Sequence, residues 1–84
     1  MYMELTIVTP AGVVCRAEVE SVKLSGTMGQ FTVLKGHAPL MSTLERGDVI
    51  YVESGVEHRV AIRSGVVNVY KDTIEVCAEM DAAK

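Results

Sequence analysis

Two glycines three apart (Gly26, Gly29), two histidines (His37, His58) and two cysteines (Cys15, Cys77) are the residues whose types and spacing could do chemistry. A Gly-x-x-Gly turn cradles phosphate when a Lys-Ser/Thr pair follows and a helix begins, because the helix N-terminus then offers unpaired N–H donors. Neither follows Gly29, so the pair reads as a turn that needs positive φ. Two imidazoles alone do not hold a catalytic metal against water, and His58 reads as a surface or rim histidine. Nucleophilic catalysis requires a Ser or Cys beside a base that a third group orients. Nothing places Ser25, Ser42 or Cys15 in such company. The cysteines have no CxxC or Cys/His spacing and each sits in an apolar strand, so both read as buried thiols acting as small hydrophobes, which fits a reducing compartment. Residues alone therefore point to a non-catalytic domain with no metal or cofactor.

Composition narrows the class further. The chain has 84 residues, 49% of them hydrophobic, which suits one domain comprising residues 1–84. A chain this short buries only roughly 60–65% of its unfolded surface, so a permanent partner is plausible on size alone. Its apolar content is mainly Val, Ile and Leu, which favour strands. The net charge is −3 and the basic residues are scattered, which argues against nucleic-acid binding. The opening MYMELTIVTP lacks a basic region and meets Glu4 and Pro10 too early for a signal peptide. No apolar run approaches the roughly 20 residues that span a bilayer.

The elements that must position these residues are strands. Leu5–Val8 forms a first strand, stopped by Pro10 and a turn at Ala11-Gly12. Val13, Cys15, Ala17 and Val19 then alternate with more polar residues, the pattern of a strand with one face buried. Apolar parity changes between Val19 and Val22, which predicts a bulge or corner near Glu20-Ser21. Phe31 and Val33 share one side of the next strand, and Gly36-His37-Ala38-Pro39 makes a rigid corner. Leu40–Glu45 fits either one helical turn or an irregular strand. Turns are expected at Gly47-Asp48, Ser54-Gly55, Ser64-Gly65 and Lys71-Asp72. Between them lie strands Val49–Glu53, His58–Ile62 and Val67–Val69; Ile74, Val76 and Ala78 mark the closing strand. Residues 79–84 read as a short tail or the start of a helix. Turn signals every eight to twelve residues, with no convincing helix, predict an all-β fold, a sandwich or small barrel.

Two resemblances bear on function. The stretch Gly47-Asp48 through Gly55 to His58 resembles the second motif of the cupins, metal-binding β-barrels, but Glu53 stands for its Pro and Ile62 for its later Asn. His37 is followed by Ala38-Pro39 where the first cupin motif has His-x-His and a Glu, so two of the usual four ligands are lacking. A small cupin-like metal-binding protein is the alternative reading. A fuller match runs from Gly26 through Gly29, Phe31, Val33-Leu34 and Gly36 to His37-Ala38-Pro39-Leu40. It resembles the core motif of the epsilon subunit of bacterial F-type ATP synthase (delta in mitochondria). Leu5–Pro10, Leu44-Glu45-Arg46-Gly47 and Ile62-x-Ser64-Gly65-Val66-Val67-x-Val69 match that family's flanking strands.

That second resemblance implies a small β-sandwich of two packed, mainly antiparallel sheets. It implies a non-catalytic central-stalk subunit joining gamma to the membrane c-ring and assisting the coupling of proton-driven rotation to ATP synthesis. Such a subunit lies peripherally at the cytoplasmic face of the bacterial inner membrane. The motif puts Thr27, Met28, Gly29 and Gln30 on the c-ring loops. Gln30 stands where the family often has a carboxylate, so a hydrogen bond replaces an ionic contact. His37, Leu40, Met41 and Ser42 fall where the family meets gamma or the ring rim; Leu40 is also expected in the core. Most members continue into a C-terminal helical hairpin that restrains ATP hydrolysis and in some species binds ATP. This chain stops at Lys84, so neither hairpin-type inhibition nor nucleotide binding is expected of it. Calorimetric titration with ATP tests this; no heat of binding is expected, and sub-millimolar affinity would refute it.

Overall fold

The computed structural model describes residues 2–80. Nine strands follow in chain order: β1 (Met3–Thr9), β2 (Gly12–Val19), β3 (Ser21–Gly26), β4 (Gly29–Leu34), β5 (Leu40–Leu44), β6 (Gly47–Glu53), β7 (Val56–Ile62), β8 (Ser64–Tyr70) and β9 (Thr73–Glu79). No helix occurs among the described residues, and so none long and apolar enough to cross a membrane. The ambiguous Leu40–Glu45 stretch resolves as strand β5, with Leu44 buried and Met41 71% exposed.

The strands pair in the order β2-β1-β9-β8-β5-β3-β6-β7, with β4 on the other edge of β3. This is one curled sheet, a half-barrel whose two limbs form the layers of the sandwich. β2-β1-β9-β8-β5 is one layer and β4-β3-β6-β7 the other. The link between them is narrow, because β3 pairs with β5 only at Gly26 and Leu44. All ladders are antiparallel except β1 with β9, where Glu4–Val8 run parallel to Thr73–Cys77. Between the layers Leu5, Ile7, Val22, Leu24, Ile74 and Val76 are wholly excluded from solvent. Each such side chain contributes roughly 1.5–3 kcal/mol relative to exposure.

Three strands cross from one layer to the other, and each crossing shifts the parity of the buried positions. A bend that adds an odd residue keeps the inner face inward as the chain turns the corner. Buried positions pass from Val19 to Val22, from Leu44 to Val49 and from Ile62 to Val67. The bends lie at Glu20, at Glu45-Arg46 and at Arg63. Their backbone donors are satisfied across the fold: Glu20 N–H by Val52 O at 2.8 Å, Glu45 N–H by Ser25 O at 2.8 Å and Arg63 N–H by Glu79 O at 2.7 Å.

The first corner stands where the alternation predicts it. The turns expected at Gly47-Asp48 and Ser64-Gly65 do not; these residues open β6 and β8, and each bend lies just before them. The glycines serve close approach instead. A Cβ on Gly47 would stand 2.8 Å from Ser25 Cβ, and one on Gly65 would stand 2.7 Å from the carbonyl oxygen of Cys77. Ser54-Gly55 and Lys71-Asp72 are genuine two-residue turns, with positive φ at all four positions, as tight hairpins require.

The cysteines divide. Cys15 is half-buried on β2 and its Sγ lies 3.4 Å from Tyr51 Oη, a hydrogen bond that bridges β2 to β6 where the two limbs approach. The Tyr51 hydroxyl is pushed up to about 12, first by its hydrogen bond with Cys15, which favours the protonated phenol, and then by burial. Cys77 corrects the expectation of two buried thiols: it occupies an outward position of β9 and is exposed. Glu79, expected in the tail, closes β9, and Met80 packs against the core; residues 81–84 lie outside the described residues. Gly65→Ala should destabilise the protein by about 1–3 kcal/mol, because the contact it makes is with backbone. Urea denaturation measures this, and an unchanged midpoint would refute the close-approach reading.

Candidate functional site

The residues singled out in the sequence fall on two projections at opposite ends of β4. At one end, β3 and β4 are joined by Thr27-Met28, with Gly26 facing Gly29 across the hairpin. Gly29 has φ +122, and a Cβ on Gly26 would strike Gly29 O and the Phe31 ring at 2.8 Å. A bulkier pair would open the turn. Met28 is 98% exposed at the tip, and Thr27 and Gln30 are exposed beside it. The tip is tied to β5: Thr27 N–H donates to Thr43 O at 3.1 Å, and the two threonine hydroxyls lie 2.7 Å apart.

At the other end, about 20 Å away along β4 at the usual strand rise, the chain forms a shoulder from Lys35 to Pro39. His37 N–H donates to Leu34 O at 3.0 Å, closing a turn in which Gly36 has φ +85. His37 Nδ1 lies 2.7 Å from Ala38 O; the carbonyl can only accept, so Nδ1 carries the proton. Asp72, in the β8–β9 turn, grips this segment. One carboxylate oxygen accepts from Lys35 Nζ and the other from the Gly36 amide at 3.1 Å. The Lys35 hydrogen bond, then that of Gly36, holds the Asp72 carboxyl below its usual value. The Asp72 carbonyl also accepts from Glu4 N–H at 2.9 Å.

From the shoulder, β5 runs back to the tip. Leu40 is half-buried and packs against the core, as expected, whereas Met41 faces solvent. Ser42 is half-buried and its hydroxyl donates to Thr43 O at 3.1 Å. Thr43 then lies in register with Val66 of β8, Val66 with Cys77 of β9, and Cys77 with Val8 of β1. All four are outward positions of the five-stranded layer. They line an apolar groove of about 620 Å³ that also takes in Pro10 and Gly65. Val66 is 42% exposed there.

This groove is what the residue-by-residue reading missed. Its signal was present in outward-facing positions of the alternation occupied by Val8, Val66 and Cys77 rather than by charges. Asp72 gave no such signal beyond marking a turn. Among the described residues no three His, Cys, Asp or Glu side chains group as metal ligands do. His58 stacks on Tyr51 with ring centroids 5.1 Å apart and stands 4.0 Å from Glu53. His37 belongs to the shoulder. The geometry thus sets out a projecting tip, a clasped shoulder and an exposed apolar groove between β5 and β1.

Comparison with known proteins identifies the fold and the family. The family model described as "ATP synthase, Delta/Epsilon chain, beta-sandwich domain" matches residues 2–82. An ATP synthase epsilon chain of Citrifermentans bemidjiense is 36% identical over 77 residues, covering 92% of this chain and 56% of that protein. That of Campylobacter jejuni is 45% identical over 74 residues, covering 87% and 57%. The chain therefore spans little more than half the length of these curated relatives. Among solved structures, a chain of the Euglena gracilis mitochondrial ATP synthase superposes with a TM-score of 0.85 at 18% identity, over 92% of this chain and 50% of its own. A chain of the Tetrahymena thermophila enzyme, solved as its central stalk and c-ring, gives 0.78 at 15% identity, over 94% and 64%. At these identities the structures establish the shared fold.

The Asp72 clasp has a defined pH signature. Its lowered carboxylate pKa contributes stability that is fully present above the ordinary value of 3.8 and is lost as pH falls through the folded value. The Gly36 amide resonance should follow this titration with a midpoint below 3.8. In Asp72→Asn that titration should vanish; a Gly36 shift that still titrates would assign it to another group.

Proposed function

Because the chain belongs to the family of ATP synthase delta/epsilon chain β-sandwich domains, we propose that it is a non-catalytic central-stalk subunit of a proton-translocating F-type ATP synthase. In this reading residues 1–84 act as one β-sandwich unit that joins gamma to the membrane c-ring. It lies peripherally at the cytoplasmic face of a bacterial inner membrane and assists the coupling of proton-driven rotation to ATP synthesis. It needs no cofactor, and no nucleotide site is part of its action.

The observation that carries the proposal is the exposed apolar groove set beside the protruding tip. Met28, unbranched and almost wholly exposed, gives an adaptable apolar contact. With Thr27, Gly29 and Gln30 it is assigned to the polar loops of the c-ring, where the neutral Gln30 amide contributes hydrogen bonds. The groove, with Met41, Ser42 and the shoulder at His37 and Leu40, is assigned to gamma. Burying such a face removes apolar area from water at roughly 25 cal/mol per Å², and a preformed strand face costs little ordering entropy on binding.

Rotation is transmitted in this mechanism by rigidity rather than by chemistry. Torque reaching the tip passes to β5, to which Thr27 of the tip is bonded at Thr43, and so into the layer that carries the groove. Tagged protein should co-purify with gamma, and failure to do so from cells expressing both would reject the proposal. Val66→Asp, which places a charge in the groove, should weaken gamma binding by at least tenfold while Met28→Ala leaves it within about twofold.

A further inference from the structure

We propose that Asp72 is a positioning residue for the gamma-facing surface, holding the shoulder at a fixed angle to the groove so that both reach one partner together. This rests on the docking role proposed above and assigns a task to a residue outside the motif that suggested that role. Asp72 itself lies on the turn between β8 and β9, the two strands that carry Val66 and Cys77 into the groove.

The shoulder depends on side-chain support. Gly36 has positive φ and residues 37–39 belong to no strand, so the segment has no ladder of its own. Asp72 supplies two bonds from outside it, one carboxylate oxygen for the Lys35 ammonium and the other for the Gly36 amide. Its own place is fixed by the tight turn, in which it has φ +59, and by the bond from Glu4 N–H to its carbonyl. Two stretches distant in sequence, Glu4 and Lys35-Gly36, thus converge on Asp72, and the shoulder is tied to the hairpin that bears the docking face. A segment already held in its bound direction gives up less freedom when a partner covers it.

The backbone at position 72 makes the test clean. Glycine tolerates its positive φ and removes both carboxylate contacts. Asparagine also tolerates that region and keeps an oxygen for the Gly36 amide. Calorimetric titration of wild type, Asp72→Gly and Asp72→Asn against the cognate gamma subunit is the decisive measurement, with thermal melting recorded on the same samples. Asp72→Gly should bind roughly tenfold more weakly, the loss falling in the entropy of association, and Asp72→Asn should recover most of it. A purely structural role would lower the melting temperature and leave the affinity of the folded protein unchanged.

If Asp72→Gly does not fold, Lys35→Met severs the ionic half of the clasp and should weaken binding roughly threefold; equal affinity would overturn the proposal. Gamma binding by wild type, with Asp72→Gly within twofold of it, would overturn the positioning role alone. Absence of wild-type binding would overturn the docking role and this inference with it.

Discussion

Ser25 is the one buried polar side chain among the described residues, and it holds one of the three corners by which the chain passes between the layers. Its hydroxyl donates to Glu45 O at 2.8 Å while its own carbonyl accepts from Glu45 N–H at the same distance. These bonds pin the bend between β5 and β6 against the end of β3. They satisfy backbone groups that would otherwise be stranded where the ladder breaks. The absent side chain of Gly47 lets the two backbones approach. With the bend held, β5 joins the layer of β8 and β9 while β6 joins that of β3 and β7.

The same corner sets the geometry of the docking surface. Because β5 leaves the Ser25 corner alongside β8, Thr43 arrives both beside the tip and at the rim of the groove. Tip and groove are neighbours through one residue, although the tip hairpin and the groove strands belong to different layers. The shoulder lies at the other end of β5 and reaches the same layer through Asp72. The whole surface is thus framed by backbone pairing and short polar contacts. Its apolar centre, Val8, Val66 and Cys77, stays open at the surface.

Much of this was legible in the sequence, and what was not has physical reasons. Period-two alternation placed the strands and predicted the buried faces of β8 and β9, at Val67, Val69, Ile74, Val76 and Ala78. The parity change at Val19–Val22 correctly marked a corner. The equivalent changes at Leu44–Val49 and Ile62–Val67 were as visible but were overshadowed by glycines, which look like turn residues whether they serve a turn or a close approach. Cys77 was read as buried because its neighbours are apolar, yet its position in the alternation faces outward. The tip and shoulder residues were legible only through resemblance, since a Met or His in a loop has no periodicity to interpret. Asp72 acts on residues about half the chain away, a relation that no local pattern encodes.

The parallel pairing of β1 with β9 carries a consequence for biogenesis. β1 (Met3–Thr9) leaves the ribosome more than sixty residues ahead of β9 (Thr73–Glu79). Until β9 emerges, β1 has only β2 beside it, and a lone two-stranded hairpin is marginal in water. The inner faces of Leu5 and Ile7 meanwhile stay wet, and pairing Glu4–Val8 with Thr73–Cys77 closes a long loop, which slows folding. A nascent chain of this design passes through an unfinished state with one raw edge, and is exposed to misassociation until β9 slots in beside β1.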